Sequence, residues 1–291
     1  MKPARFAYMA PTELRDVHRA LDEFGDDCKV LAGGQSLGPL LNLRLASPRV
    51  LVDLERIASL STGITEQPGF LRISAMTRHR CLELDPTAAR LAPLLSQAVP
   101  FVAHRTIRNR GTLGGSLAHA DPAAELPAVV VASGAVIIVE STRGQRRIDA
   151  GSFFKGFFTT ALGADEVIVA VDFPRAGRRS GTGWAEFAPR RGDFAVVGVA
   201  VRMELDEDGV VELATVACAG VSDTPWRASA AEDLLSGERP TAERLEAAAG
   251  AAARAAAPRD DSSGSTEYRK HLVELLTRQA LTQAVALAME S

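Results

Sequence analysis

Two glycine-rich turns carry the residue types best suited to hold a ligand. The first is Ala32-Gly33-Gly34-Gln35-Ser36-Leu37-Gly38, and the second is Gly111-Thr112-Leu113-Gly114-Gly115-Ser116-Leu117. A Gly pair lets the backbone come close to a ligand because no Cβ stands in the way. Consecutive N–H groups can then converge on an anion such as phosphate. One such turn suits a mononucleotide, and two suit a pyrophosphate gripped from both sides. Ser116 is placed to donate to a phosphate oxygen. The competing reading is a pair of ordinary tight turns, for which Gly is the default residue. Two turns together, each followed by an apolar run, favour the ligand reading.

The first turn has a readable context. Residues 28–32, with Lys29 leading into the turn, form a short apolar strand. Leucines at 37, 40, 41 and 45 have helical spacing, and residues 50–54 read as a second buried strand. Asp53 stands about where a Rossmann acidic residue would fall. However, that fold requires G-x-G-x-x-G, and this chain offers G-G-x-x-x-G.

The remaining chemistry is sparse. Cys28, Cys81 and Cys218 lie far apart, without the spacing of a zinc or iron–sulfur site and without a secreted disulfide framework. Five histidines (18, 79, 104, 119 and 271) form no H-x-x-x-H pair, and His18 is expected on the surface of a helix. No nucleophile elbow is present. Asp121 could accept from ribose or ribityl hydroxyls, or simply cap the backbone before Pro122. Arg105, Arg108 and Arg110 form the one basic cluster, facing a phosphate, a partner or solvent.

The 291 residues suit about two domains. With 46% hydrophobic and 24% charged residues the chain can build a sizeable core, and a net charge of −3 argues against a nucleic-acid surface. Residues 1–6 lack a signal-peptide apolar core, and no segment is long and apolar enough to span a membrane, so a cytoplasmic location is expected. Residues 12–24 predict an amphipathic helix ended by Gly25. A strand is expected near 71–75, then short helices at 81–86 and 88–96 interrupted by Pro86 and Pro93, a helix at 127–133 and a strand at 135–141. Residues 174–181 are polar and rich in breakers, which marks a domain boundary. Beyond it come strands at 194–205 and 210–220 joined by a hairpin, then helices at 228–235, 242–257 and from 266 to about 289.

On these residues the chain resembles the FAD-binding medium subunit of the molybdenum hydroxylases, the family of xanthine, carbon monoxide and quinoline oxidoreductases. The matching segments are 32–36 and the long run 102–122, with weaker echoes at 190–195 and 267–269. The resemblance spans essentially the whole chain. It implies an α+β fold: a PCMH-type (vanillyl-alcohol-oxidase-like) FAD-binding domain over 1–176, with subdomains of about 1–57 and 58–176, and a C-terminal domain over 177–291 with an antiparallel sheet and helices. It implies non-covalent FAD, with Ala32, Gly33, Gly34, Gln35, Ser36, Leu37, Thr112, Gly114, Gly115 and Ser116 around the pyrophosphate. Ala103, Ile107 and Ile168 would line the flavin, with Lys29, Asp121 and Glu125 also in the site. The molybdenum cofactor and [2Fe–2S] clusters would reside in partners: a large molybdopterin-binding subunit and a small two-cluster subunit, in a dimer of heterotrimers. Gln35, Ser116 and Glu186 depart from some relatives and lean toward the azaarene or nicotine type. A free-standing FAD reductase of the same fold and a non-catalytic binding module are the alternatives.

Overall fold

The computed structural model describes residues 2–290. The chain opens with β1 (Ala7–Met9), α1 (Leu14–Phe24), β2 (Cys28–Leu31), α2 (Leu37–Asn42) and β3 (Val50–Asp53). These strands form a parallel sheet in the order β1-β3-β2, with Cys28 opposite Val50 and Leu31 opposite Asp53. Parallel neighbours need a crossover, and α2 with its flanking turns supplies it. Helix α1 covers the sheet with Val17, Ala20 and Leu21, and Gly25 closes it at φ +48°.

The leucine spacing predicted a helix continuing to Leu45, but α2 stops at Asn42. The chain reverses through Arg44 at φ +58°, which leaves Leu43 and Leu45 exposed. His18 is also not on the surface. It is buried on the inner side of α1, with Nε2 3.6 Å from a Glu140 carboxylate oxygen. Its position one residue after Val17 puts it on the apolar stripe's edge, which the partner sheet covers.

The next unit runs through β4 (Ile64–Gln67), β5 (Phe70–Ser74), α3 (His79–Leu84), α4 (Pro86–Leu91), α5 (Pro93–Ala98), α6 (Arg105–Arg108), α7 (Leu113–His119) and α8 (Glu125–Ala132). It continues through β6 (Val136–Ser141), β7 (Gly144–Asp149), α9 (Ala150–Phe153), β8 (Phe154–Gly156), β9 (Thr159–Thr160) and β10 (Val167–Pro174). Its five-stranded antiparallel sheet has the order β4-β5-β10-β6-β7. Pro86 and Pro93 begin helices rather than breaking one, each occupying the first turn where a missing N–H costs nothing. Leu71, Ile73, Ile137, Val139 and Val171 point inward onto Leu113, Leu117 and the all-buried α8.

After residues 175–179 come β11 (Ser180–Phe187), β12 (Val197–Leu205), β13 (Val211–Ala219), β14 (Trp226–Arg227), α10 (Ser229–Leu235), α11 (Ala242–Ala255) and α12 (Thr266–Glu290). The four strands pair antiparallel in sequence order, against the three helices. Strand β11 was not expected, because Ser180-Gly-Thr-Gly reads as breakers. A Cβ at Gly181 or Gly183 would collide with the carbonyl oxygens of Ala284 or Ala280, so these glycines let α12 lie directly on the strand. The two parts are tied together by α8: Arg202 donates to the Ser133 carbonyl at 2.7 Å, and Gly220 N–H donates to the Pro122 carbonyl at 2.9 Å.

Candidate functional site

The two glycine turns meet. A Cβ on Gly33 would overlap the Arg110 carbonyl and Gly111, and one on Gly115 would lie 3.3 Å from the Ala32 Cβ. The close approach that the glycines permit is therefore first an approach of chain to chain. Gly114 is closed off in the same way, with Ala75 in the space its Cβ would take. Gly34 differs: it sits at φ +72°, where its Cβ would meet only the end of Leu31, at 3.3 Å. There the glycine is needed for the backbone conformation.

The turns differ in what they offer. In the first, Gly38 N–H donates to the Gly34 carbonyl, so the N–H groups of Gln35, Ser36 and Leu37 precede the helical ladder. The Gln35 amide folds back onto the Gly33 carbonyl at 2.9 Å. In the second turn, Leu113 and Gly114 donate to the carbonyls of Thr77 and Ala75, and Gly115 donates to the Thr112 hydroxyl at 3.1 Å. That hydroxyl is the N-cap of α7. Two converging sets of backbone donors were expected, and the structure presents one. The second turn contributes instead the Ser116 hydroxyl, which has no protein partner among the described residues.

Beyond the turns, the backbone at Val102 and Ala103 forms a wall clamped by Arg108. Ala103 is held at φ +44°, a conformation uncommon for a residue with a Cβ. Arg108 holds it there. The guanidinium is buried, donates to the carbonyls of Val102 and Ala103 at 3.1 and 2.9 Å, and forks onto Glu83 at 2.9 and 3.1 Å. Arg108 and Arg80 together hold the Glu83 carboxyl below its ordinary range. Ile107 is half-buried in the same segment. The 188–194 loop closes over this wall: a Cβ on Gly192, at φ +90°, would strike the His104 ring and approach the Ala103 carbonyl carbon at 3.1 Å.

A pair of acids lies where the two sheets share α8. Glu125 opens that helix and is buried, and burial followed by the charge of Glu186 pushes its carboxyl up to about 8. Burial likewise raises Glu186 to about 7. The Glu186 Oε2 and the Trp184 indole N–H are both buried, near enough for the indole to oppose that rise but without full hydrogen-bond geometry. Asp121 caps its own turn, accepting from Ala123 N–H at 2.9 Å. Ile168 lies in the core on β10, 4% exposed, and Lys29 is exposed on β2.

Other candidate groups are structural. His79 is buried beneath Gly111, where desolvation lowers its ring to about 4. Arg269, from the second of the two weaker echoes, donates to the carbonyls of Val196 and Gly220 at 2.8 and 2.6 Å and forks onto Asp261, so it fastens α12 to the sheet. All three cysteines are free, and burial pushes Cys218 up to about 12. Among the described residues no three His, Cys, Asp or Glu side chains gather as a metal site. The clamps Arg108 and Arg269 were not picked out as such from the sequence; the only hint was an arginine inside otherwise ligand-like motifs.

The fold has two parts, and comparison with known proteins identifies the class of each. Residues 4–176 match the FAD binding domain in molybdopterin dehydrogenase, and 184–284 match the CO dehydrogenase flavoprotein C-terminal domain. The chain is 38% identical to the 6-hydroxypseudooxynicotine dehydrogenase complex subunit alpha of Paenarthrobacter nicotinovorans, over 98% of this chain and 96% of that one. Among solved structures it is similar to carbon monoxide dehydrogenase from Hydrogenophaga pseudoflava, with a TM-score of 0.95 and 36% identity over 98% of this chain and 99% of that one. It is also similar to quinoline 2-oxidoreductase from Pseudomonas putida 86, with a TM-score of 0.93 and 37% identity over 99% and 100%. The chain belongs to the family of FAD-binding medium subunits of the molybdenum hydroxylases, and is a flavoprotein subunit of a multi-subunit oxidoreductase. No helix among the described residues is long and apolar enough to cross a membrane.

Proposed function

We propose that this chain holds one FAD non-covalently and relays electrons within a cytoplasmic complex. They come from the two [2Fe–2S] clusters of a small subunit, and behind it a large molybdopterin subunit oxidises an organic substrate. Two such heterotrimers pair. Residues 1–176 form the flavin domain, with subdomains of about 1–57 and 58–176, and 177–291 form the C-terminal domain. The observation that carries the reading is the meeting of the two glycine turns, one with three N–H groups outside any ladder and the other with a free Ser116 hydroxyl. A pyrophosphate lying between them answers both.

On this reading Ala32 to Leu37 supply backbone donors, Thr112, Gly114 and Gly115 hold the facing turn in place, and Ser116 donates from it. Lys29 adds positive charge at the entry of the first turn. Ala103, Ile107 and Ile168 form the apolar wall for the ring, and Asp121 and Glu125 lie at its polar end. Bound FAD supplies the ability to take up and give out electrons singly or in pairs. The protein's part is to bind, orient and screen it. The Glu125 carboxyl, uncharged near neutrality, can donate a hydrogen bond where a carboxylate could only accept one. The nicotine-derived substrate in the name of the Paenarthrobacter relative, with Gln35, Ser116 and Glu186, supports a nitrogen-heteroaromatic substrate for the complex.

Acid precipitation tests the cofactor reading. Flavin should pass to the supernatant in a ratio of about one per chain, because neither turn carries a His or Cys suited to a covalent link. Flavin that stays with the denatured protein refutes it.

A further inference from the structure

Around the mouth of this site the surface has an unusual make-up. Arg105 and Arg110 come from one segment and Arg190 and Arg191 from another, brought together where Gly192 packs on Ala103 and His104. All four are exposed, and among the described residues none of the four guanidinium groups forms an ion pair or hydrogen bond. Most other arginines of the chain are paired, including Arg108 in the same cluster. Asp193 is the one carboxylate within these two segments. This concentration of positive charge stands on a chain whose net charge is −3.

Four exposed aromatic rings adjoin these two segments. Phe101 packs edge-on against Trp184 at 6.4 Å, Phe187 packs edge-on against Tyr268 at 6.0 Å, and Phe194 follows the Arg-Arg-Gly-Asp turn. Arginine and aromatic residues are the types enriched at the centres of protein interfaces. Permanent subunit contacts are more apolar. The chain offers such surface elsewhere, at Leu43 and Leu45 and at the tip formed by Phe157 and Phe158. Unpaired guanidinium groups suit a brief, electrostatically steered encounter instead.

We propose that this arginine and aromatic face is the docking surface for an acidic one-electron carrier protein that removes electrons from the complex. The proposal rests on the flavin reading above, since the face borders the Ala103 and Ile107 wall. Two carrier molecules are reduced, one electron each, for every electron pair that reaches the flavin. The two protons taken up with that pair return to water.

The test uses the assembled complex and a matched pair of probes. Native cytochrome c is basic, and its succinylated form keeps the haem while reversing the surface charge. Calorimetric binding of the oxidised proteins should favour the succinylated probe, weakening at least about tenfold between about 20 and 200 mM salt. Anaerobic stopped flow, after reduction with stoichiometric dithionite, should give a higher bimolecular rate with the same probe. The triple variant R105E/R190E/R191E should lower both binding and rate at least about tenfold, within the range that steering commands. Its flavin content and its rate with a neutral benzoquinone should be unchanged. The neutral R105Q/R190Q/R191Q variant should fall between. Equal binding of both probes, or a triple variant indistinguishable from the parent, overturns the proposal. A complex purified without flavin would count against the flavin reading, while the calorimetry would still decide the docking surface.

Discussion

Replacing Glu125 by glutamine should make the chain's stability less sensitive to pH. In the folded protein burial, helped by the charge of Glu186 and of Asp121 and opposed by its own backbone N–H and by Arg108, raises this carboxyl from about 4.5 to about 8. Between those values the folded chain keeps a proton that the unfolded chain gives up. Stability from this group is therefore fully present below about pH 4.5 and is lost as pH rises through 8. At about 1.4 kcal/mol per pH unit the full loss is roughly 5 kcal/mol, of which about 4 falls between pH 5 and pH 9. Glu186, raised to about 7, acts in the same direction. Glutamine has no charge to bury, so Glu125→Gln should remove most of the Glu125 component and leave the rest. Urea unfolding of the flavin-free chain at pH 5, 7 and 9, at fixed ionic strength, gives both curves. The parent should lose stability more steeply than the variant by several kcal/mol. Parallel curves, or a parent more stable at pH 9 than at pH 5, would refute the burial argument.

Other outcomes follow from the same geometry. Gly34→Val forces a branched side chain to φ +72° and should cost about 1–2 kcal/mol while abolishing flavin binding; circular dichroism and flavin absorbance separate the two effects. Gly115→Val is a poorer probe, because its Cβ would also disturb the Thr112 cap. Arg108→Ala leaves the Val102 and Ala103 carbonyls without their donor and Glu83 with Arg80 alone, and should cost about 3 kcal/mol in urea unfolding; a loss below 1 kcal/mol would mean Arg108 does not clamp the wall. The isolated, flavin-loaded chain should bleach with dithionite yet remain unreduced by azaarene, purine or carbon monoxide; substrate-driven bleaching without partners would overturn the relay assignment.

Local pattern was a good guide wherever one face of an element meets the core. The strands at residues 28–31 and 50–53, helix α1 and the long terminal helix all appear where periodicity placed them. It failed where tertiary contact sets the chemistry. Strand β11 is disguised because Gly181 and Gly183 are required by a helix about a hundred residues away. Strand β1 is three residues long and gains its order only by pairing with β3. His18 looked solvated because its cover, the sheet carrying Glu140, is likewise remote in sequence.

The glycine turns illustrate the same limit at the site itself. Sequence alone finds both, and finds that each needs close approach. It does not say what approaches. In the first turn the answer includes open N–H groups, and in the second it is mostly protein, with Ala75, Thr77 and Thr112 using the donors that a ligand would otherwise claim. A motif of this kind thus has two functions at once. Its glycines let the two turns lock together, and three peptide N–H groups of the first turn and the Ser116 hydroxyl of the second stay outside the protein's own hydrogen bonding among the described residues. On the proposed reading the second turn would fix a pyrophosphate held by the N–H groups of Gln35, Ser36 and Leu37, because Ser116 would grip it from that turn. Catalytic electron transfer is sensitive to small displacements, so a site that spends one whole turn on positioning suits a relay better than a site built only for affinity.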